Sequence, residues 1–386
     1  MSSLFNEAEM TNTKKVFWIL TIIFISSSSV FAQLNFSLST QQEYNDNPFH
    51  SPVPTKTFIS SADFGVENNF NELSIGYYGS YLNFDVIPER NFYWHQFAVW
   101  KDFDDAALGF YAEQRIGKDI YTYYNYKNYT FYYQNHFELG PFSISLLPNA
   151  NVTTYDEINI LDNFKASVGL TLNKGFDTGT TFIVGGSLNH KIYLNPTQSG
   201  TYTYLDENNL PVEAAYKDRN ISSITQLVSF GRIAQSITSS TGLAVQYTNR
   251  SIFNKFGSYI KDLNIYYGDE SEMFDDPVNY QGNNLGVELT QILFDDLEIK
   301  AGYYLNSKFY PSQGVYDQLY NYDTGAMRND TQNIFNFSVK KNIPLRMAND
   351  LNLSLGINYQ AIKNNSNSYL FNYTSNSINF NIGLSF

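Results

Sequence analysis

Ser377-Ile378-Asn379-Phe380-Asn381-Ile382-Gly383-Leu384-Ser385-Phe386 closes the chain, and its side chains alternate almost without fault. Ile378, Phe380, Ile382, Leu384 and Phe386 fall on one side, with Ser377, Asn379, Asn381, Gly383 and Ser385 on the other. Successive side chains of an extended chain point to opposite faces, so this is a strand with one apolar and one polar face. Working back from it, the same period-two pattern recurs as far as residue 34. The candidate strands are 34–44, 57–68, 72–84, 91–102, 106–117, 129–139, 142–154 and 162–173, then 178–191, 219–235, 239–250, 282–293, 297–309, 331–342, 350–363 and 374–386. Each approaches or exceeds the roughly nine to eleven residues that a tilted membrane strand requires.

The terminal strand ending on Phe386 resembles the closing strand of a Gram-negative outer-membrane β-barrel protein of the porin-like kind. That resemblance implies recognition by the barrel-assembly machinery through the strand ending at Phe386, and a place in the outer membrane of a Gram-negative cell envelope. The front of the chain agrees. Lys14 and Lys15, the apolar run Val16 to Ile25 and the exit Val30-Phe31-Ala32 read as a secretory signal peptide over residues 1–32. Its natural start is expected at Met10, since Glu7 and Glu9 sit awkwardly upstream. Residues 33–386 then form one barrel domain.

Connections alternate in length. Short ones include Phe103-Asp104-Asp105, Gly140-Pro141 and Phe294-Asp295-Asp296, and long ones are 45–56, 118–128, 192–218, 251–281, 310–330 and 364–373. Outer-membrane barrels have short periplasmic turns and long extracellular loops. The expected fold is therefore all-β, a transmembrane antiparallel up-and-down β-barrel of about 16 strands, with 14 or 18 as alternatives. A soluble β-sandwich shares the strand pattern but not the alternation of loops.

Composition supports the class. The chain has 32 Tyr, 31 Phe and 0 Cys, so no disulfide or thiolate site contributes. A net charge of −13 argues against nucleic acid, which requires a basic stripe. Outer-membrane lipid is the expected surrounding. No outward face is polar enough to nominate an interface, which leaves an oligomer open.

On 350–363, Leu351, Leu353, Leu355, Ile357 and Tyr359 oppose Asn352, Ser354, Gly356, Asn358 and Gln360. Charge on a lipid face costs a few kcal/mol near the bilayer centre, so the polar set belongs to the lumen. Glu113, Arg115, Glu138, Glu288, Glu298, Lys300 and Lys340 fall in it. Charged rings can set the ion preference of a pore. Opposite charges on neighbouring strands more commonly pair, and Glu288, Glu298, Lys300 and Lys340 are expected to neutralise one another. Strands 91–102 and 219–235 are ambiguous in face, and neither is assigned a lumen side.

The run Tyr121, Tyr123, Tyr124, Tyr126, Tyr129, Phe131, Tyr132 and Tyr133 reads first as an interfacial girdle and second as a stacking platform. Asp269, Glu270, Glu272, Asp275 and Asp276 crowd one loop, a weak calcium candidate that lacks EF-hand spacing; otherwise neither metal nor cofactor is implied. The 4 His lie outside any hydrolase or nucleotide motif. His190 is similar in position to a residue of outer-membrane phospholipases, and Asp46 with His50 resembles the Asp-His pair of barrel proteases, without supporting motifs. No enzyme is expected. A porin-like channel for passive diffusion of small hydrophilic solutes leads, followed by a non-conducting barrel acting as a binding or assembly partner in secretion or surface-structure machinery. An outer-membrane hydrolase stands a distant third.

Overall fold

The computed structural model describes residues 34–70, 72–195, 199–205, 211–217, 223–254, 278–294, 297–345 and 351–385. The signal-peptide reading, Phe386 and the carboxylates from Asp269 to Asp276 lie outside these residues. Eighteen strands follow one another among the described residues. They are β1 (Leu34–Asn45), β2 (Thr57–Phe70), β3 (Leu73–Phe84), β4 (Phe92–Asp102), β5 (Ala106–Ile116) and β6 (Tyr126–Leu139). Next come β7 (Phe142–Tyr155), β8 (Asn163–Gly175), β9 (Thr180–Tyr193), β10 (Ser199–Leu205), β11 (Pro211–Lys217) and β12 (Ile224–Ser236). The chain ends with β13 (Thr241–Ile252), β14 (Gln281–Leu293), β15 (Leu297–Tyr316), β16 (Tyr322–Pro344), β17 (Asn352–Ser366) and β18 (Tyr373–Ser385).

All but β10 and β11 form one closed antiparallel barrel in which each strand pairs with its neighbours in the chain, β9 with β12, and β18 with β1. The barrel has 16 strands, the number read from the alternation. Closure runs through Ser37↔Ser385, Gln41↔Asn381 and Asn45↔Ser377, so the terminal strand leaves no unpaired edge. In a membrane that matters, because an open edge would bury unsatisfied backbone groups in hydrocarbon.

The pleat carries the pattern through. Outward Leu38, Val168, Leu188, Ile233, Phe380 and Ile382 are each about half exposed, and nothing in the barrel covers them. The tight connections between even and odd strands define a turn end. Gly140, at φ 60°, and Gly179, at φ 74°, occupy left-handed backbone there, where a side chain is strained. The longer connections define a loop end, which by the usual orientation of such barrels is extracellular.

Three segments differ from the sequence reading. The stretch 310–330, expected as a loop, is mostly strand, because β15 and β16 run on as a ladder to Tyr316↔Tyr322. A register shift between Tyr310 and Gly314 breaks the period-two signal there, which is why the alternation stopped at 309. The expected loop 192–218 holds a separate hairpin, β10 with β11, paired from Ser199↔Lys217 to Leu205↔Pro211. Finally, the tenth barrel strand begins at Ile224 rather than at 219.

Candidate functional site

Directly paired residues share a face, so the register carries lumen assignments round the barrel. Arg115 lines a lumen cavity, and Glu113, two residues before it, points the same way. Glu138 pairs with Ser143, on the face of cavity-lining Ser145. Glu288 lines a small cavity at the turn end, Glu298 pairs with Lys340, and Lys300 is two residues beyond Glu298. All seven candidate residues therefore stand on the inward wall.

Their pairing differs from the cross-strand neutralisation expected of four of them. Lys300 Nζ meets Glu298 Oε1 at 3.1 Å on its own strand. Glu288 takes Arg232, whose Nη2 stands 3.3 Å from its Oε1, from a strand that had no assigned face. Glu113 is held by neutral donors, Tyr111 Oη at 2.8 Å and Asn128 Nδ2 at 3.2 Å. The Arg115 guanidinium carbon lies 4.1 Å from the centre of the Phe92 ring and 5.6 Å from that of Tyr124. Such stacking covers the faces of the guanidinium.

Inward aromatics lie against the wall wherever a neighbouring strand offers glycine. Tyr132 is in register with Gly109, and a Cβ there would stand 2.3 Å from its ring. Tyr304 faces Gly286 in the same way, at 2.5 Å. A bulky ring thus folds onto the wall instead of crossing the lumen.

A cavity of about 640 Å³ sits in the loop-end half of the lumen beside β1 to β5, β17 and β18. Glu43 and Asp63 line it from β1 and β2, Trp94 and Arg115 from β4 and β5, and Phe49 and Arg90 from connecting segments. Asp63 accepts hydrogen bonds from Ser39 Oγ at 3.0 Å and Ser61 Oγ at 3.3 Å, and Glu43 accepts one from Asn45 Nδ2 at 2.9 Å. Arg90 is buried and lies with its guanidinium carbon 3.9 Å from the centre of the Phe49 ring. A second cavity, of about 410 Å³, is lined by Lys165 from β8 and Arg250 from β13, with Lys165 paired directly to Lys191.

No protein-family model and no curated protein sequence matches the chain. Among solved structures, a variant of OccD1 (OprD) aligns over 94% of this chain and 97% of its own, at 9% identity and a TM-score of 0.51. OccD3 (OpdP) of Pseudomonas aeruginosa aligns over 93% and 92%, at 9% identity and a TM-score of 0.50. The fold is that of the outer-membrane β-barrel proteins.

At the loop end of this outer-membrane barrel the wall is closely packed. Arg328 and Asp330 form a buried ion pair, with Arg328 Nε 3.0 Å from Asp330 Oδ2 and both side chains almost wholly enclosed. Tyr310 and Phe371 stack on the guanidinium at 4.0 and 3.4 Å, and Gln313 Oε1 accepts from its Nη1. The broken alternation hid this cluster, although Arg328 and Asp330 at spacing two are the trace of one strand face.

The histidines and tyrosines separate by face. His50 stacks on Tyr373 at 4.5 Å, while Asp46 gives its carboxylate to the backbone N–H and side-chain amide of Asn376. His190 faces outward, its Nδ1 2.9 Å from Thr225 Oγ1. The aromatic run divides as well. Tyr129, Phe131 and Tyr133 point outward, Tyr126 and Tyr132 point inward, and Tyr124 is buried near Arg115. It is neither one girdle nor one platform.

Proposed function

We propose that the barrel is a porin-like channel for passive diffusion of small hydrophilic solutes. One observation carries the reading. The inward wall is polar on most strands, and Tyr132 and Tyr304 lie against glycines of the neighbouring strands, so water-sized space remains within the lumen. Sixteen strands enclose more room than side chains fill, whereas eight do not. Purified protein inserted in a planar bilayer is expected to give stable open-channel steps, and a lasting lack of steps would sink the proposal.

The packed loop end favours a second reading, a non-conducting barrel whose outer surface or lumen engages a partner in secretion or surface-structure machinery. The Arg328 cluster and the extended β15–β16 ladder support it. The same recording separates the two. Steps that appear only after residues 312–326 are deleted would favour the second.

A further inference from the structure

We propose that the inner wall of β3 to β6, on the turn-end side of Arg115, is a binding surface for short neutral oligosaccharides. The proposal rests on the channel reading only for the solute's route of arrival. Four rings carry it. Tyr78 pairs with Gln96 and Gln96 with Glu113, while Trp100 pairs with Gly109 and Gly109 with Tyr132, so these residues and Tyr111 share the inward face. Three of the rings rest on bare backbone. A Cβ at Gly76 would stand 3.3 Å from the Tyr78 ring and 3.6 Å from that of Trp100, and one at Gly65 would stand 2.7 Å from Tyr78. Tyr132 lies over Gly109 in the same manner. A ring seated on the sheet turns its other face to the lumen. Tyr78 is 38% exposed, and Trp100, Tyr111 and Tyr132 are half-buried.

The register sets the extent of this surface. Gly76 and Gly109 are two strand spacings apart, about 10 Å, and one side-chain repeat apart along the strands. One pyranose ring does not cover that span, whereas a short linear oligosaccharide does. A polar rung borders the rings. Gln96, Glu113 and Asn128 follow one another in direct register beside Tyr78. Glu113 accepts from Tyr111 Oη at 2.8 Å and Asn128 Nδ2 at 3.2 Å, and Glu67 accepts from Tyr78 Oη at 3.1 Å. A carboxylate has about four lone-pair sites, so the protein fixes each one in place and leaves it sites for further donors. A pyranose has an apolar C–H face and a rim of hydroxyls, which match the rings and the rung respectively.

Other occupants fit less well. A planar organic anion would stack on the rings, but it would meet Glu67, Glu113 and Asp102, which is two residues past Trp100 on the same face. A quaternary ammonium is held best by rings that surround it as a cage. Here the rings lie side by side on one wall, which suits a long flat solute and not a compact round one.

Full-length protein in detergent, titrated calorimetrically with cellotriose, maltotriose and sorbitol, tests this. One trisaccharide at least should bind about tenfold or more tightly than sorbitol, which has the hydroxyls but no ring face to cover an aromatic one. Trp100→Phe should keep most of that affinity, while Trp100→Leu, apolar but not planar, should lose about tenfold. Glu113→Gln should weaken binding several-fold, as charge-assisted hydrogen bonds become neutral ones. Equal binding of the trisaccharides and sorbitol by the unaltered protein, no binding of either trisaccharide, or tighter binding of choline or benzoate than of both, overturns the proposal whether or not the variants fold. Full affinity in a folded Trp100→Leu protein overturns it too. Vesicle swelling in arabinose reports the channel separately: swelling without trisaccharide binding removes this surface and leaves the channel standing, and binding without swelling does the reverse.

Discussion

Tyr132 lies across Gly109 on the neighbouring strand, so close that a Cβ at 109 would stand 2.3 Å from its ring. Gly109→Ala therefore forces the phenol off the wall and into the lumen. The expected result is a smaller single-channel conductance, with a stability loss of about 1–3 kcal/mol as the wall becomes overpacked. Adding Tyr132→Ser should restore the conductance. If Gly109→Ala conducts as the parent does, the ring is not what keeps the passage clear.

Arg328 and Asp330 form a buried pair, and a neighbouring amide bonds each member. Asn364 Nδ2 donates to Asp330 at 3.2 Å and Gln313 accepts from Arg328 at 3.0 Å. Arg328→Met strands a buried carboxylate, which typically costs about 3–5 kcal/mol. Replacing both, as Arg328→Met with Asp330→Leu, should recover most of that loss, because a buried pair gains little over apolar residues of similar volume. Urea unfolding in detergent checks the order: the single substitution must unfold first.

Asp85 ties the start of β2 to the connection after β3. Its Oδ1 accepts from Thr57 Oγ1 at 2.5 Å and from the Phe58 N–H at 2.9 Å. The Thr57 bond foremost, then the Phe58 bond, holds the carboxyl below its ordinary value of 3.8. A group depressed in the fold stabilises it above the unfolded value and loses that contribution as pH falls through the lower folded value. Exchange of the Phe58 amide should therefore quicken, relative to its intrinsic acid rate, as pH drops below about 4. Asp85→Asn should remove that dependence.

The amount of this fold that was legible follows from where alternation survives. β8, residues 352–361 of β17 and residues 374–385 of β18 bear apolar side chains on one face, so membrane and lumen demand opposite residues and the pleat writes both into the chain. β4 carries Tyr93, His95 and Phe97 outward but Phe92, Trp94 and Trp100 inward, and two aromatic faces cannot be told apart by period. That strand supplies Trp94 to the main cavity, so the same ambiguity concealed the centre of the site. Glu43 and Asp63 are inward and polar, as the period required. Nothing local to them announced that strands three spacings away would bring Arg115 into the same cavity. Pairing partners within one strand face, such as Arg232 with Glu288 two strands apart, are likewise a product of side-chain length, not of sequence spacing.

That pair provides the last prediction. Arg232 and Glu288 are each about one-third exposed, at 36% and 27% for the side chains, and their contact spans β13 between them. A pair this wet is worth about 0–1 kcal/mol, since solvent screens it and two long side chains must be held still. A double-mutant cycle of Arg232→Gln and Glu288→Gln should thus return a coupling energy inside that range. Its effect on permeation should be larger in proportion. Glu288→Gln leaves the Arg232 charge unbalanced in the turn-end lumen, where inward charges of one sign set ion preference. Under a salt gradient the zero-current potential should then move toward anion preference, and Arg232→Gln should move it the opposite way. The double substitution should return it close to the parent value. Shifts of the same sign from both single substitutions would mean that the pair does not face the permeation path.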